Sequence, residues 1–75
     1  MVEEMNSLQL IEQGHIASEQ GKVTQARAAY KKALDVDPNN FDAAFFIGST
    51  YASQGNMKMA TTYFRRATEI DPSVP

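Results

Sequence analysis

Cysteine is absent from this 75-residue chain. No disulfide, thiolate zinc site or cysteine nucleophile can therefore form, and the usual disulfide signature of a small secreted domain is missing. Long apolar runs are also missing, because the longest, residues 43–48, is far shorter than the roughly 20 residues that cross a bilayer. We therefore expect no membrane insertion.

The chain also has little excess of one charge over the other. Nine acidic and seven basic residues give a net charge of -2, which is too small to select nucleic acid or an anionic membrane surface. Residues 1–5 carry acids where a secretory signal would carry Lys or Arg, and no apolar segment follows them. We expect a cytoplasmic chain that forms one small domain, or part of a longer repeat array.

An internal repeat becomes visible when the sequence is shifted against itself by 34 positions. The aligned identities are Gly14 with Gly48, Gln20 with Gln54, Gly21 with Gly55, Ala26 with Ala60, Ala33 with Ala67, Asp37 with Asp71, and Pro38 with Pro72. Chance does not align so many special residues at one offset. The chain therefore consists of two related units.

Each unit carries the start and stop signals of two helices. Asn6 and Gln9 predict a capping box at the first helix, and Gly21 and Gly55 predict left-handed turns inside the units. Pro38 cannot continue a helix, so the second helix must end before it. The four predicted helices span about residues 7–20, 23–36, 41–54 and the segment between Asn56 and Asp71.

The second helix of each unit has small and aromatic residues at positions i, i+4 and i+7, which form one packed stripe. These residues are Ala26, Tyr30 and Ala33, then Ala60, Phe64 and Ala67. A glycine inside a helix costs about 1 kcal/mol relative to alanine, so Gly14 and Gly48 need a packing reason. We predict that each lies opposite a bulky ring, supplied by Tyr30 or Phe64.

Together these positions and the 34-residue period resemble the tetratricopeptide repeat. The resemblance implies an all-α fold of two helix-turn-helix repeats, in which four antiparallel helices stack as a short right-handed superhelix. It divides the chain into a lead-in over residues 1–6, a first repeat over 7–40 and a second over 41–74. The signature positions are Gly14, Gly21, Ala26, Tyr30, Ala33, Pro38, Gly48, Tyr51, Gly55, Ala60, Phe64, Ala67 and Pro72. In the first repeat, Leu10, Gln13 and Ala17 replace the tryptophan, leucine and tyrosine that are usual in the family.

The resemblance also implies that the first helix of each repeat lines a concave groove that binds protein or peptide ligands. The corresponding positions are Leu8, Ile11, His15, Ser18, Glu19, Asp42, Phe45, Ser49, Ala52 and Ser53. None of them is basic, so we interpret the groove as an apolar strip with acidic margins that suits an apolar segment with neutral or basic flanks. All seven basic residues lie on the outer helices, where we interpret them as a solvated face.

Two groove residues have alternative interpretations. His15 could respond to pH or donate to a ligand, but we favour a polar residue at the groove edge, since a metal site would need further ligands. Phe45 could be a binding hot spot or a core residue. We expect Phe41 or Phe46 to wedge against the neighbouring repeat.

The sequence contains no motif that indicates an enzyme: it has no Ser-His-Asp set and no phosphate loop. We therefore predict no catalytic residue, metal or cofactor, and no nucleic-acid partner, since acids lie close to the basic pairs at 31–32 and 65–66.

The leading hypothesis is a protein-interaction module that acts as a scaffold or adaptor. The alternative is a structural protein that self-associates through its repeat ends, because repeat proteins usually need about three units. Thr61 and Thr68 make the last face polar, whereas Val74 and Pro75 stand where a third repeat would begin.

Overall fold

The computed structural model describes residues 5–73, and all regular structure in this range is helical. The helices are α1 (Ser7–Glu19), α2 (Val23–Val36), α3 (Phe41–Ser53) and α4 (Met57–Ile70). The predicted all-α fold is confirmed, and the predicted helix bounds agree to within one residue. Most of the expected lead-in and the expected start of a third repeat at Val74 and Pro75 lie outside the described residues.

Asparagine side chains begin three of the four helices. The Asn6 side chain accepts a hydrogen bond from the Gln9 backbone N–H at 2.8 Å, and the Gln9 side chain accepts one from the Asn6 N–H at 3.0 Å. This is the predicted capping box. Asn40 and Asn56 each accept from the backbone N–H three residues ahead, at 3.1 and 3.2 Å. These bonds satisfy N–H groups that have no partner inside the helix.

The turn inside each repeat depends on a glycine with positive φ. Gly21 has a φ of 76° and Gly55 a φ of 78°, a region that other residues seldom adopt. The Lys22 N–H then donates to the carbonyl of Ala17 at 2.9 Å, which closes the end of α1. The turn reverses the chain, so α2 returns along α1.

Packing follows the chain order: α1 packs against α2, α2 against α3, and α3 against α4. The core cluster is shared by all four helices and consists of Leu10, Ile11, Ala26, Tyr30, Ala33, Leu34, Ala43, Ala44, Ile47 and Ala67. Because α3 belongs to the second repeat, the core joins the two repeats into one unit.

Both mid-helix glycines face aromatic rings, as predicted. A Cβ atom on Gly14 would lie 2.6 Å from Cδ1 of Tyr30, and one on Gly48 would lie 2.7 Å from Cδ1 of Phe64. Such separations are far below ordinary van der Waals contact. Glycine therefore lets the second helix of each repeat approach the first.

Arg27 connects the two repeats from α2. Its Nε donates to Oγ1 of Thr50 at 3.0 Å, its guanidinium lies 3.8 Å from the centre of the Tyr51 ring, and it also donates to Gln54. Lys31 donates to the Tyr51 hydroxyl at 3.2 Å. The interpretation of the basic residues as a solvated face is therefore wrong for Arg27, which is half-buried against α3.

Candidate functional site

A cavity of about 260 Å³ opens where α1, α2 and α3 meet. We call it the inter-repeat pocket; its lining residues are His15, Ser18, Val23, Tyr30, Phe46, Ser49, Thr50 and Ser53. Four of them, His15, Ser18, Ser49 and Ser53, were predicted groove positions. The pocket therefore brings together predicted residues from both repeats.

Three of the lining residues, His15, Tyr30 and Phe46, are rings in mutual contact. Phe46 stacks on Tyr30 with 5.4 Å between ring centres and meets His15 edge-on at 4.5 Å. Nδ1 of His15 and the Tyr30 hydroxyl share a hydrogen bond of 2.7 Å. Phe46 thus wedges against the first repeat, as one of the two expected candidates, and His15 is half-buried beside it.

The Tyr30 hydroxyl stays neutral in this setting. The residue is only 2% exposed, and desolvation raises the pKa of Tyr30 above its ordinary value of 10.0. When the hydroxyl donates to Nδ1 of His15, the imidazole proton is on Nε2. The two side chains thereby satisfy each other and hold the ring cluster in one arrangement.

Hydroxyl groups also line the pocket. Thr50 is buried, and its hydroxyl donates its hydrogen to the Ile47 carbonyl at 2.6 Å and accepts one hydrogen bond from Arg27. Ser53 donates to the Thr50 carbonyl at 2.8 Å. Ser18 and Ser49 are exposed. None of the eight lining residues is Asp, Glu, Lys or Arg.

A partly exposed aromatic patch adjoins the pocket, and we define it as Phe41, Phe45 and Phe64. Phe45 lies at its centre, with ring centres 6.0 Å from Phe41 and 5.4 Å from Phe64. The Phe45 side chain is 42% exposed, so it is available to a ligand. Because Phe45 and Ser49 are four residues apart on α3, they lie on one helix face. The pocket and the patch therefore form one continuous surface.

The remaining predicted groove residues lie outside the pocket. Ile11 is only 7% exposed and belongs to the core, so it cannot line a groove. Leu8 is 73% exposed, two turns before His15 on α1. Glu19 and Asp42 are exposed, and Ala52 is half-buried. Of the ten predicted groove positions, four therefore line the inter-repeat pocket, Phe45 lies in the aromatic patch, and Ile11 belongs to the core.

Four lining residues were not predicted as part of the groove: Val23, Tyr30, Phe46 and Thr50. Two of them belong to α2, whereas the resemblance pointed only to the first helix of each repeat. One signal was present in the sequence, because Tyr30 carries a hydroxyl where its repeat partner Phe64 has none. A buried hydroxyl needs a partner, and His15 lies on the facing helix.

Two further features of the described residues bear on metal binding and on membrane crossing. Residues 5–73 contain no group of three or more His, Asp or Glu residues placed to hold a metal ion. None of the four helices is both long and apolar enough to span a bilayer.

Comparison with known proteins gives the family. The family profile described as Tetratricopeptide repeat matches residues 11–75. This chain belongs to the tetratricopeptide repeat family. Members of the family generally mediate protein–protein interactions and are typically not enzymes.

Curated relatives match the chain over most of its length. Cellulose synthase operon protein C of Pseudomonas fluorescens is 30% identical over 71 residues, which are 95% of this chain and 6% of that protein. Anaphase-promoting complex subunit 3 of Schizosaccharomyces pombe is 30% identical, with 81% of this chain and 9% of that protein covered. Tetratricopeptide repeat protein 8 of Caenorhabditis elegans is 31% identical, with 73% and 11% covered. The chain therefore spans only a small part of each of these relatives.

Proposed function

We propose that this chain is a protein-interaction module that binds a short segment of a partner protein along the surface formed by the inter-repeat pocket and the aromatic patch. In this role it acts as a scaffold or adaptor, without catalysis. The observation that supports the proposal most strongly is the position of Phe45, a 42% exposed ring one helical turn from a pocket that both repeats build.

The size of the pocket favours a side chain of a partner over a free small molecule. Sites for drug-sized ligands usually measure about 300–1,000 Å³, and this pocket of about 260 Å³ falls below that range. The neighbouring patch offers a second point of contact on the same helix face. A peptide can occupy both at once, which a compact metabolite cannot do.

A hydrolytic role is less well supported by the geometry. A nucleophilic serine needs a base within hydrogen-bond reach, but Nδ1 of His15 bonds to the Tyr30 hydroxyl and not to a serine. The name of one relative, a subunit of the anaphase-promoting complex, is in keeping with a role in assembly.

Self-association through the repeat ends is the second candidate. Its basis is that the described residues form two units, whereas a stable repeat array usually has about three. The residues on the two ends do not favour it, because polar side chains stand where the inter-repeat contact has apolar ones. The peptide-binding role is therefore the better-supported proposal.

The test begins with peptides selected from a random 12-residue display library on the immobilised chain. Affinities for the selected peptides are then measured by fluorescence polarisation with the unmodified chain and with Phe45→Ala. Loss of a central aromatic contact should raise Kd at least about tenfold, as for an interface hot spot. Val36→Ala is the matched control, because Val36 is a 57% exposed apolar residue outside the pocket and patch.

Two results would contradict the proposal. One is a library selection that enriches no peptide. The other is an equal affinity of the Phe45→Ala and Val36→Ala variants, since the bound segment would then lie elsewhere. Circular dichroism of each variant shows whether its helices remain intact.

A further inference from the structure

One arginine of the chain is already held against α3, and its contacts show what this helix can bind. The guanidinium of Arg27 lies 3.8 Å from the centre of the Tyr51 ring and donates to Gln54, three residues further along, at the end of α3. Its Nε also donates to Oγ1 of Thr50 at 3.0 Å. A ring and an oxygen acceptor one helical turn apart thus hold a planar cation on the side of α3 that faces α2.

Asp42 and Phe45 repeat this combination at the aromatic patch. They are also three residues apart on α3, although the acceptor now precedes the ring, and residues at this separation have Cβ atoms about 5–6 Å apart. Both side chains are exposed, Phe45 to 42%. The acceptor is a carboxylate, which binds a cation more strongly than the amide oxygen of Gln54 does. The patch therefore offers a ring and a negative charge to one ligand group.

The charges around the pocket and the patch have one sign. The Asp, Glu, Lys and Arg residues of α1 and α3 are three acids, Glu12, Glu19 and Asp42, and each is exposed. All seven basic residues lie outside these two helices. On α4, which supplies Phe64 to the patch, the residues three and four positions from that ring are uncharged: Ala60, Thr61, Ala67 and Thr68. A cationic side chain is therefore attracted to this surface, and an acidic segment is repelled from it.

An arginine uses both members of the pair better than other side chains do. Its guanidinium is planar, stacks on rings and is weakly hydrated, whereas the lysine ammonium is compact and strongly hydrated. A cation over an exposed ring strengthens binding by roughly two- to fivefold, and an exposed ion pair adds a factor of up to about five. Neither contact requires a charge to be fully buried. An apolar side chain would gain only the ring, and an acidic one would face the Asp42 carboxylate.

We infer that the aromatic patch binds an arginine side chain of the partner segment, with the guanidinium on the Phe45 ring and paired with the Asp42 carboxylate. The inference rests on the proposed peptide-binding function and adds the chemistry of the partner. The two residues set the specificity together, because the carboxylate selects a positive charge and the ring selects arginine over lysine.

The experiment uses the peptides selected from the random library. Sequencing of the selected pool should show enrichment of arginine and depletion of aspartate and glutamate relative to the unselected library. In the highest-affinity peptide, each arginine is replaced in turn by lysine, which keeps the charge, and by citrulline, which keeps the planar shape without the charge. At the anchoring arginine, we expect Kd to rise about twofold with lysine and about five- to twentyfold with citrulline.

The chain side of the interaction is tested with Asp42→Asn and Phe45→Leu, which keep the approximate size of each side chain. Asp42→Asn should reduce the preference for arginine over citrulline, and Phe45→Leu should reduce the preference for arginine over lysine. Asp35→Asn is the matched control and should leave both preferences unchanged. Asp35 is an exposed acid on α2, and it lines a separate cavity with Lys32 and Leu10.

Three results would overturn the inference. They are a selected pool without enriched arginine, an unchanged preference for arginine over citrulline in Asp42→Asn, and an equal loss of that preference in Asp42→Asn and Asp35→Asn. Circular dichroism of each variant shows whether its helices remain intact. A selection that enriches no peptide is a different outcome, which would contradict the proposed function itself.

Discussion

At the scale of single residues, the two mid-helix glycines occupy the same repeat position. The aromatic rings that they face differ in burial and in how freely they can move. The ring opposite Gly14 belongs to Tyr30, which is 2% exposed, bonded to His15 and stacked on Phe46. The ring opposite Gly48 belongs to Phe64, which is only half-buried. A methyl group added at the two positions should therefore have different consequences.

We expect Gly14→Ala to lower the free energy of unfolding by up to about 2 kcal/mol. Overpacking a tight contact costs about 1–3 kcal/mol, and the better helix propensity of alanine returns about 1 kcal/mol. Gly48→Ala should cost less, because the half-buried Phe64 ring has more room to shift, although the added Cβ would also lie 3.2 Å from the backbone carbonyl oxygen of Ala60. Urea unfolding of both variants measures the difference, and an equal or larger loss for Gly48→Ala would contradict this explanation.

At the scale of helices, α2 and α4 begin with the same backbone geometry but different caps. Lys22 precedes α2 with φ -91° and ψ 71° and makes no side-chain cap bond. Asn56 precedes α4 with φ -88° and ψ 78°, and its side chain accepts from the backbone N–H of Met59. The first repeat therefore lacks a stabilising bond that the second repeat has.

Lys22→Asn should transfer this cap to the first repeat. An asparagine cap is worth about 0.5–2 kcal/mol relative to a residue that cannot cap, so we expect the free energy of unfolding to rise by about 0.5–1 kcal/mol at this exposed site. The reciprocal change, Asn56→Lys, should lower it by a similar amount. Denaturant unfolding checks both, and a neutral Lys22→Asn would show that the α2 turn does not limit stability.

Helices were predictable from the sequence because their signals are local. Asn6, Gly21 and Pro38 act on the backbone within a few residues, so the helix bounds follow without knowledge of the packing. The pocket depends instead on how α3 packs against α1 and α2. Ile11 and Phe45 hold the same position in their repeats, yet only Ile11 is buried, because a second repeat packs onto the first. The repeat pattern alone could not distinguish them.

At the scale of the whole molecule, the two ends differ from the contact between the repeats. Where α2 packs on α3, Ile47 is 0% exposed and Leu34 is 4% exposed. The residues 34 positions away are Gln13 on α1 and Thr68 on α4, and both are exposed. Head-to-tail stacking of two copies in the repeat register would bury Gln13 against Thr68 where the internal contact has apolar side chains. Such burial without specific partners is unfavourable.

We therefore expect the 75-residue chain to remain monomeric, with a mass by light scattering and a melting temperature that do not change over a hundredfold range of concentration. Gln13→Ile combined with Thr68→Leu should restore the apolar pair and produce concentration-dependent association. Thr62→Leu is the control, because Thr62 corresponds to Ala28, which stays exposed even where α3 covers α2. Association of the unmodified chain, with a melting temperature that rises with concentration, would instead make self-assembly the leading function. The polar ends would then have to pair by hydrogen bonds, and the double variant would weaken the assembly.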